Sequence, residues 1–446
     1  MKIISSTIYL TLVLASLGLI PQVQAVIPAP DGGYPGGNTA EGQAALLSLT
    51  TGGFNTAVGF VSLRSDTTGA FNTAVGAGTL LANTADEITA IGAGALFSNT
   101  TGIFNTATGA FALFSNTTGG QNTATGFATL FSNTTGSSNT ATGVEALSSN
   151  TSGNSNSAFG SAAMQLNNIG NLNTAVGQSA LFFNNGDDNT AIGENALTSN
   201  VTGSDNTAIG GLALQANTSG GANTASGFHA LFSNTTGVGN TANGDGALTS
   251  NTTGSGNTAL GDGAGAAATG NNNVYIGPGM NGVAGENNAC YIASIFGQTS
   301  ANGIPVLINS NSKLGTATSS VRFKEDIKPM NNVSEALFAL KPVTFRYKKE
   351  IDPAGIHQFG LVAEEVVKVN PDLVVRDKEG KPYSVRYEQV NALLLNEFLK
   401  EHRKNEEQEA TIARQQKQIE ALTAGLQKVS AQIEANESAS HAVAKK

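Results

Sequence analysis

The tripeptide Asn-Thr-Ala recurs at Asn38, Asn55, Asn72, Asn105, Asn122, Asn139, Asn173, Asn189, Asn206, Asn223, Asn240 and Asn257. Degenerate copies stand at Ile88-Thr89-Ala90 and Asn156-Ser157-Ala158, and the spacing is 17 residues with an occasional 16. A second series runs in phase with the first, from Leu46, Leu63 and Leu80 through Met164 to Leu231 and Leu248. Each unit approximates Asn-Thr-Ala-x-Gly-x-x-Ala-Leu-x-x-Asn-Thr-Thr-Gly-x-x. One such unit has a single large apolar side chain and cannot bury a core alone. Stacked in register, the Leu positions become an apolar ridge and the Asn positions become hydrogen-bonding ladders. Thr-Ala-x-Gly alternates as a short strand does, and Asn-Thr-Thr-Gly supplies turn residues. The period is too short for two helices and too regular for a sandwich. The sequence therefore predicts a parallel β-roll or β-helix, left- or right-handed, over residues 46–270.

A column with one Leu per coil has a thin core, and three chains packing their Leu ridges around one axis would thicken it. A homotrimer is the expectation, as a rod of roughly 60 Å at one stacked strand per coil. The units resemble the head repeats of trimeric autotransporter adhesins, where a small-residue strand is likewise followed by Gly.

Composition supports a chain built this way. Only 12% of the 446 residues are charged, with 54 glycines, one cysteine and no tryptophan. Soluble domains carry about twice that charge fraction. Between Val26 and Thr318 there are 13 acidic residues against Arg64 and Lys313 alone, whereas from Ser319 onward 20 basic and 19 acidic residues nearly cancel. Two differently built parts thus meet near residue 318. No basic patch with interleaved aromatics points to nucleic acid. Lys2, the apolar stretch from Tyr9 to Ile20 and Val23-Gln24-Ala25 read as a signal peptide over residues 1–25. The apolar run is shorter than the roughly 20 residues that span a bilayer. The expectation is an exported chain, secreted or held at a cell surface, with no membrane span after processing and a leader over residues 26–45.

Within the repeats no chemical centre is expected. Asp245 and Asp262 sit in Gly-Asp-Gly, but calcium-binding rolls need an acid in every turn, so both read as solvated loop acids. His229 occupies a variable position without a partner. Gly261–Gly270 lacks the strand-then-helix setting of a nucleotide loop. No metal and no cofactor is predicted. Residues 271–318 read as a β-rich neck with strand-like runs at Val274–Ile276, Cys290–Ile295 and Pro305–Ile308, and Cys290 reads as a buried thiol.

At the junction stands Thr318-Ser319-Ser320-Val321-Arg322-Phe323-Lys324-Glu325-Asp326-Ile327. This stretch, with Phe359-Gly360-Leu361-Val362-Ala363-Glu364-Glu365-Val366 and Tyr387-x-x-Val390-Asn391-x-Leu393-Leu394-Leu395, resembles the C-terminal intramolecular chaperone of phage endosialidase tailspikes. The resemblance covers Thr318 to about Glu434. It implies a domain that trimerises, guides a β-rich fibre into register and then cuts itself off. Carried over, the nucleophile is Ser319, the base is Lys324 and the scissile bond is Thr318–Ser319. Family members often have Asp where this chain has Ser320. A serine hydroxyl needs a base, and a lysine serves as one only when desolvation favours its neutral form. A site formed by the assembled trimer would provide that.

Residues 319–400 are accordingly read as the auto-processing domain, with a short helix at Ser334–Leu340, a strand at Pro342–Tyr347 and a hairpin around Glu379-Gly380. A final helix is expected from about Glu388. Phe398, Ile412, Ile419, Leu426 and Ile433, interleaved with Leu422 and Val429, make residues 401–435 a coiled coil. The functional expectation is an exported trimeric fibre or surface protein with a self-cleaving chaperone, whose one enzymatic act is single-turnover serine endoproteolysis of itself. The alternative is an adhesin that binds a glycan or cell-surface ligand and keeps the C-terminal domain as a trimer clamp. A polysaccharide-degrading tailspike is disfavoured, because the rod lacks paired carboxylates suited to acid/base work.

Overall fold

The computed structural model describes residues 34–443, apart from 299, 302 and 310. The expected signal peptide and the first part of the expected leader lie outside the described residues. The chain divides into two units, the first ending at Gln298 and the second beginning at Thr299.

The first unit is a parallel β-solenoid with 16 three-residue strands hydrogen-bonded in chain order, Thr39–Glu41 at one end and Cys290–Ile292 at the other. Register is strict: Thr pairs with Thr and Ala with Ala from coil to coil, as in Thr106↔Thr123 and Ala107↔Ala124. The strand Ala points inward and is fully buried, while its two neighbours face outward. The rest of each coil is turn, closed by unusual backbone. Leu113 and Leu130 both have φ 52°, in the left-handed region that bulky residues rarely adopt. Each such residue costs about 1–3 kcal/mol unless its surroundings over-determine it. Here the Leu113 N–H donates to Thr129 O at 3.0 Å, in the next coil, and the side chain is fully buried. Full burial of one Leu contributes about 2 kcal/mol, enough to offset the strain rung by rung.

Two Asn ladders complete the interior. Asn122 receives the chain above through its N–H, which donates to Asn105 Oδ1 at 3.0 Å, and its Nδ2 donates to Gly136 O at 2.9 Å. In the second ladder Asn133 Nδ2 donates to Asn116 Oδ1 at 2.7 Å and to the same Gly136 O at 2.9 Å. Both asparagines are fully buried. Each ladder thus satisfies amides that would otherwise cost about 1–3 kcal/mol apiece.

Three expectations change. The Leu series does not form a ridge between chains: every rung from Leu63 to Leu248 is buried within one chain, together with the Ala columns. Left-handed backbone at the Leu position itself accompanies a side chain buried in the coil's own core, as at Leu113 and Leu130. The solenoid also exceeds residues 46–270. It starts at Asn38-Thr39-Ala40, the first copy of the motif, and runs through the first two strands of the expected neck, Val274–Ile276 and Cys290–Ile292. In the coil where Gly265 replaces Leu, a Cβ would lie 2.7 Å from the Tyr275 ring, so the next coil's tyrosine fills the vacant rung. Tyr275 stacks on Tyr291 with centroids 5.7 Å apart, and the Tyr291 hydroxyl donates to Glu286 at 2.6 Å. Finally, Cys290 is exposed rather than buried. Its strand keeps the solenoid alternation, which turns Tyr291 inward and Cys290 outward.

The second unit opens with an antiparallel pair, Val306–Ile308 with Leu314–Thr316. A one-turn 3₁₀ helix, Val321–Phe323, and a longer one, Asn331–Ala339, follow. Strand Val343–Phe345 pairs with Gln358–Gly360, and helix Ala363–Val369 leads to the hairpin Val374–Arg376 with Pro382–Val385. The chain ends in a 57-residue helix, Tyr387–Val443. Its small core is Val366, Leu373, Val374, Val385 and Leu393. Ile412, Ile419, Leu422, Leu426, Val429 and Ile433 of the long helix are all exposed. No helix among the described residues is long and apolar enough to cross a membrane.

Candidate active site

The strand Leu314–Thr316 delivers Ser319 to the start of the short 3₁₀ turn. In that turn the Phe323 N–H donates to Ser320 O at 3.0 Å and the Lys324 N–H to Val321 O at 3.1 Å. The reversal of direction brings Lys324 back over Ser319: Nζ donates to Ser319 Oγ at 3.1 Å. A five-residue separation thereby becomes direct contact. Lys324 has no carboxylate ion pair among the described residues. That matters, because an adjacent anion would hold the ammonium charged. Arg322 instead lies over the Phe323 ring, 4.9 Å from its centroid.

Thr318, Ser319 and Lys324 are all exposed in the single chain. The hydrogen bond runs from ammonium to hydroxyl, opposite to the proton flow that general-base catalysis needs. The contact is a geometry from which the reaction can start once water is excluded and the nitrogen gives up its proton.

Further along the chain stands a polar knot that carries no sequence signature. Ser334 is fully buried. It receives Asn396 Nδ2 at 2.6 Å, donates to the Glu397 carboxylate, and lies beside Asn331 O, which accepts from the same Asn396 amide at 3.0 Å. Lys400 pairs with Glu397 at 2.7 Å and Glu335 at 3.6 Å. The Lys400 hydrogen bond, aided by Ser334, holds the Glu397 carboxyl below the usual carboxylate range. The knot fastens the segment following the arm to the long helix. Tyr387 adds a second fastening, its hydroxyl accepting from the Leu361 N–H at 2.9 Å.

The other residues weighed in the sequence do not converge. Asp245 and Asp262 are exposed in separate coils, and His229 packs between Phe228 and Phe232. No group of three potential metal-ligating side chains occurs among the described residues.

Residues 319–375 match the family model described as chaperone of endosialidase. The chain carries an endosialidase-type chaperone domain. The match opens on Ser319 and ends within the hairpin strand Val374–Arg376, so the chaperone domain as matched contains both members of the Ser–Lys pair. Neither the curated proteins nor the solved structures contain a match to the chain. The chaperone family is associated with trimeric fibres, which suggests a role in trimer assembly for this domain.

Proposed function

We propose that the chain is an exported trimeric fibre or surface protein whose chaperone domain assembles the trimer and then releases itself between Thr318 and Ser319. The observation that carries this reading is the 3.1 Å contact between Lys324 Nζ and Ser319 Oγ. The start of the family match at Ser319 supports it, since a domain that cuts itself off begins at its own nucleophile.

The chemistry is balanced as follows. Neutral Lys324 takes the Ser319 hydroxyl proton, and Oγ attacks the Thr318 carbonyl carbon. The Thr318–Ser319 C–N bond breaks, its nitrogen takes the proton from Lys324, and the acyl group rests on Oγ as an ester. Water then hydrolyses the ester, leaving a Thr318 carboxylate and a free Ser319 amino group. The first step requires Lys324 to accept a proton and the second requires it to return that proton, so the amine must enter the reaction neutral. Burial against neighbouring copies would favour the neutral amine, so cleavage would report assembly.

The retained-clamp adhesin is the second reading, and the exposure of both residues favours it. Intact masses of the full chain and of Ser319→Ala separate the two. A fragment starting at Ser319 from the native chain alone supports self-release; an intact chain in both cases supports the clamp.

A further inference from the structure

The outward face of the solenoid strands is more regular than folding requires. Of the 14 strands from Thr39–Glu41 to Thr258–Leu260, 13 place Thr at the first position and one places Ser157. The third position of the same strands varies freely among Val, Ile, Thr, Phe, Ser, Asn, Leu and Glu. Val or Ile there shows that a β-branched apolar residue satisfies the strand on this face, so strand propensity alone does not select threonine at the first position. Nor does internal hydrogen bonding. The turn threonines spend their hydroxyls on the next coil, as Thr117 Oγ1 does on Thr134 O at 3.0 Å and Thr134 Oγ1 on Thr151 O at 2.9 Å. Among the described residues the strand threonines' hydroxyls have no such partner within the chain.

The face is also uncharged. From Thr56 to Ile292 no outward strand position carries a charge, although the solenoid as a whole is acidic. Its acids stand in turns, Asp187 and Asp205 among them. A neutral partner is the complement of such a surface. The ladder repeats about every 4.8 Å across strands and about 6.7 Å between outward positions along a strand. The strand-to-strand distance, along which the threonines stack, lies close to an oxygen repeat on faces of hexagonal ice. Methyl groups of Thr, Val and Ile order neighbouring water, and unpartnered hydroxyls anchor that water in register.

We propose that this threonine face binds ice: the partner is the ordered water of an ice surface, held along the Thr column. The proposal does not depend on cleavage at Thr318–Ser319. The test uses the purified full chain in a slowly growing ice front, together with recrystallisation of a fine-grained frozen sample. The native chain is expected to enter the ice and slow grain growth. Thr123→Lys/Thr207→Lys, on the face, is expected to lose both effects with unchanged circular dichroism and melting temperature. Thr118→Lys/Thr135→Lys, on the exposed turn edge, should keep both. Exclusion of the native chain from ice overturns the proposal. So does a face variant whose only change is in sedimentation, which would assign the face to packing between copies, or retention of the native chain on an insoluble neutral glycan but not on ice.

Discussion

Asp66 occupies a slot that asparagine fills in most later coils, and it shows what the ladder demands of one residue. Its carboxylate accepts from the Gly69 N–H at 2.8 Å and from Asn72 Nδ2 at 3.3 Å, but it is fully buried. Burial pushes the Asp66 carboxyl above its ordinary value of 3.8, against the lowering effect of those hydrogen bonds. The folded chain therefore binds this proton more tightly than the unfolded chain. The resulting stability is full below the unfolded value and is lost as pH rises through the raised folded one. Asp66→Asn is expected to stabilise the solenoid by about 1 kcal/mol at neutral pH and to lose that advantage in acid. Thermal unfolding of both chains across that range checks the sign; an advantage that does not change with pH contradicts it. The glycine after the strand makes a second point. Gly126 has φ 131°, and a Cβ there would sit 2.5 Å from Gly143 O, whereas Gly239, at φ 68°, has nothing within 4 Å. Gly126→Ala is expected to cost about 3 kcal/mol, from strain and overpacking together. Gly239→Ala should cost about 1–2 kcal/mol. Equal losses in denaturant titrations would contradict this difference.

At the scale of elements, the solenoid was legible because its information is repeated. A 17-residue phase fixes which residues stack, and stacking implies strand, turn and ladder together. What the phase does not encode is which way Leu faces. That depends on left-handed backbone at Leu itself, which no propensity predicts for a bulky residue. The ladder's extension past residue 270 was obscured in the same way: once Gly265 replaces Leu, only the packed Tyr275 ring shows that the coil continues. In the second unit the hairpin and long helix followed from ordinary turn and heptad signals. The Ser–Lys pair was legible only through resemblance, because a serine five residues before a lysine is uninformative in isolation. The Ser334 knot was not legible at all, since Ser334 and Glu397 are 63 residues apart with no pattern joining them. Ser334→Ala leaves Glu397 and Asn396 without their shared partner. It is expected to lower the stability of the second unit by about 1–3 kcal/mol without moving the solenoid's transition. A single unchanged transition would show the knot to be dispensable.

At the scale of the whole molecule, two features ask for neighbours. One is the Ser319–Lys324 pair left in solvent. The other is the long helix, whose Ile412, Ile419, Leu422 and Leu426 stay exposed at heptad spacing. Leucines inside the solenoid no longer argue for a trimer, so the helix and the chaperone family carry that reading. Ile419→Lys/Leu426→Lys should therefore shift the full chain from trimer towards monomer in sedimentation. It should abolish cleavage as well, while leaving Ser319 and Lys324 unaltered. Cleavage at the native rate in a monomeric variant would separate the two events.

The most direct measurement is the intact mass and oligomeric state of the full chain, followed together from expression to assembly, beside Ser319→Ala and Lys324→Ala. The account predicts a fragment beginning at Ser319 that appears only with the trimer and only in the native chain. A stable native trimer in which every chain remains intact across Thr318–Ser319 would contradict it.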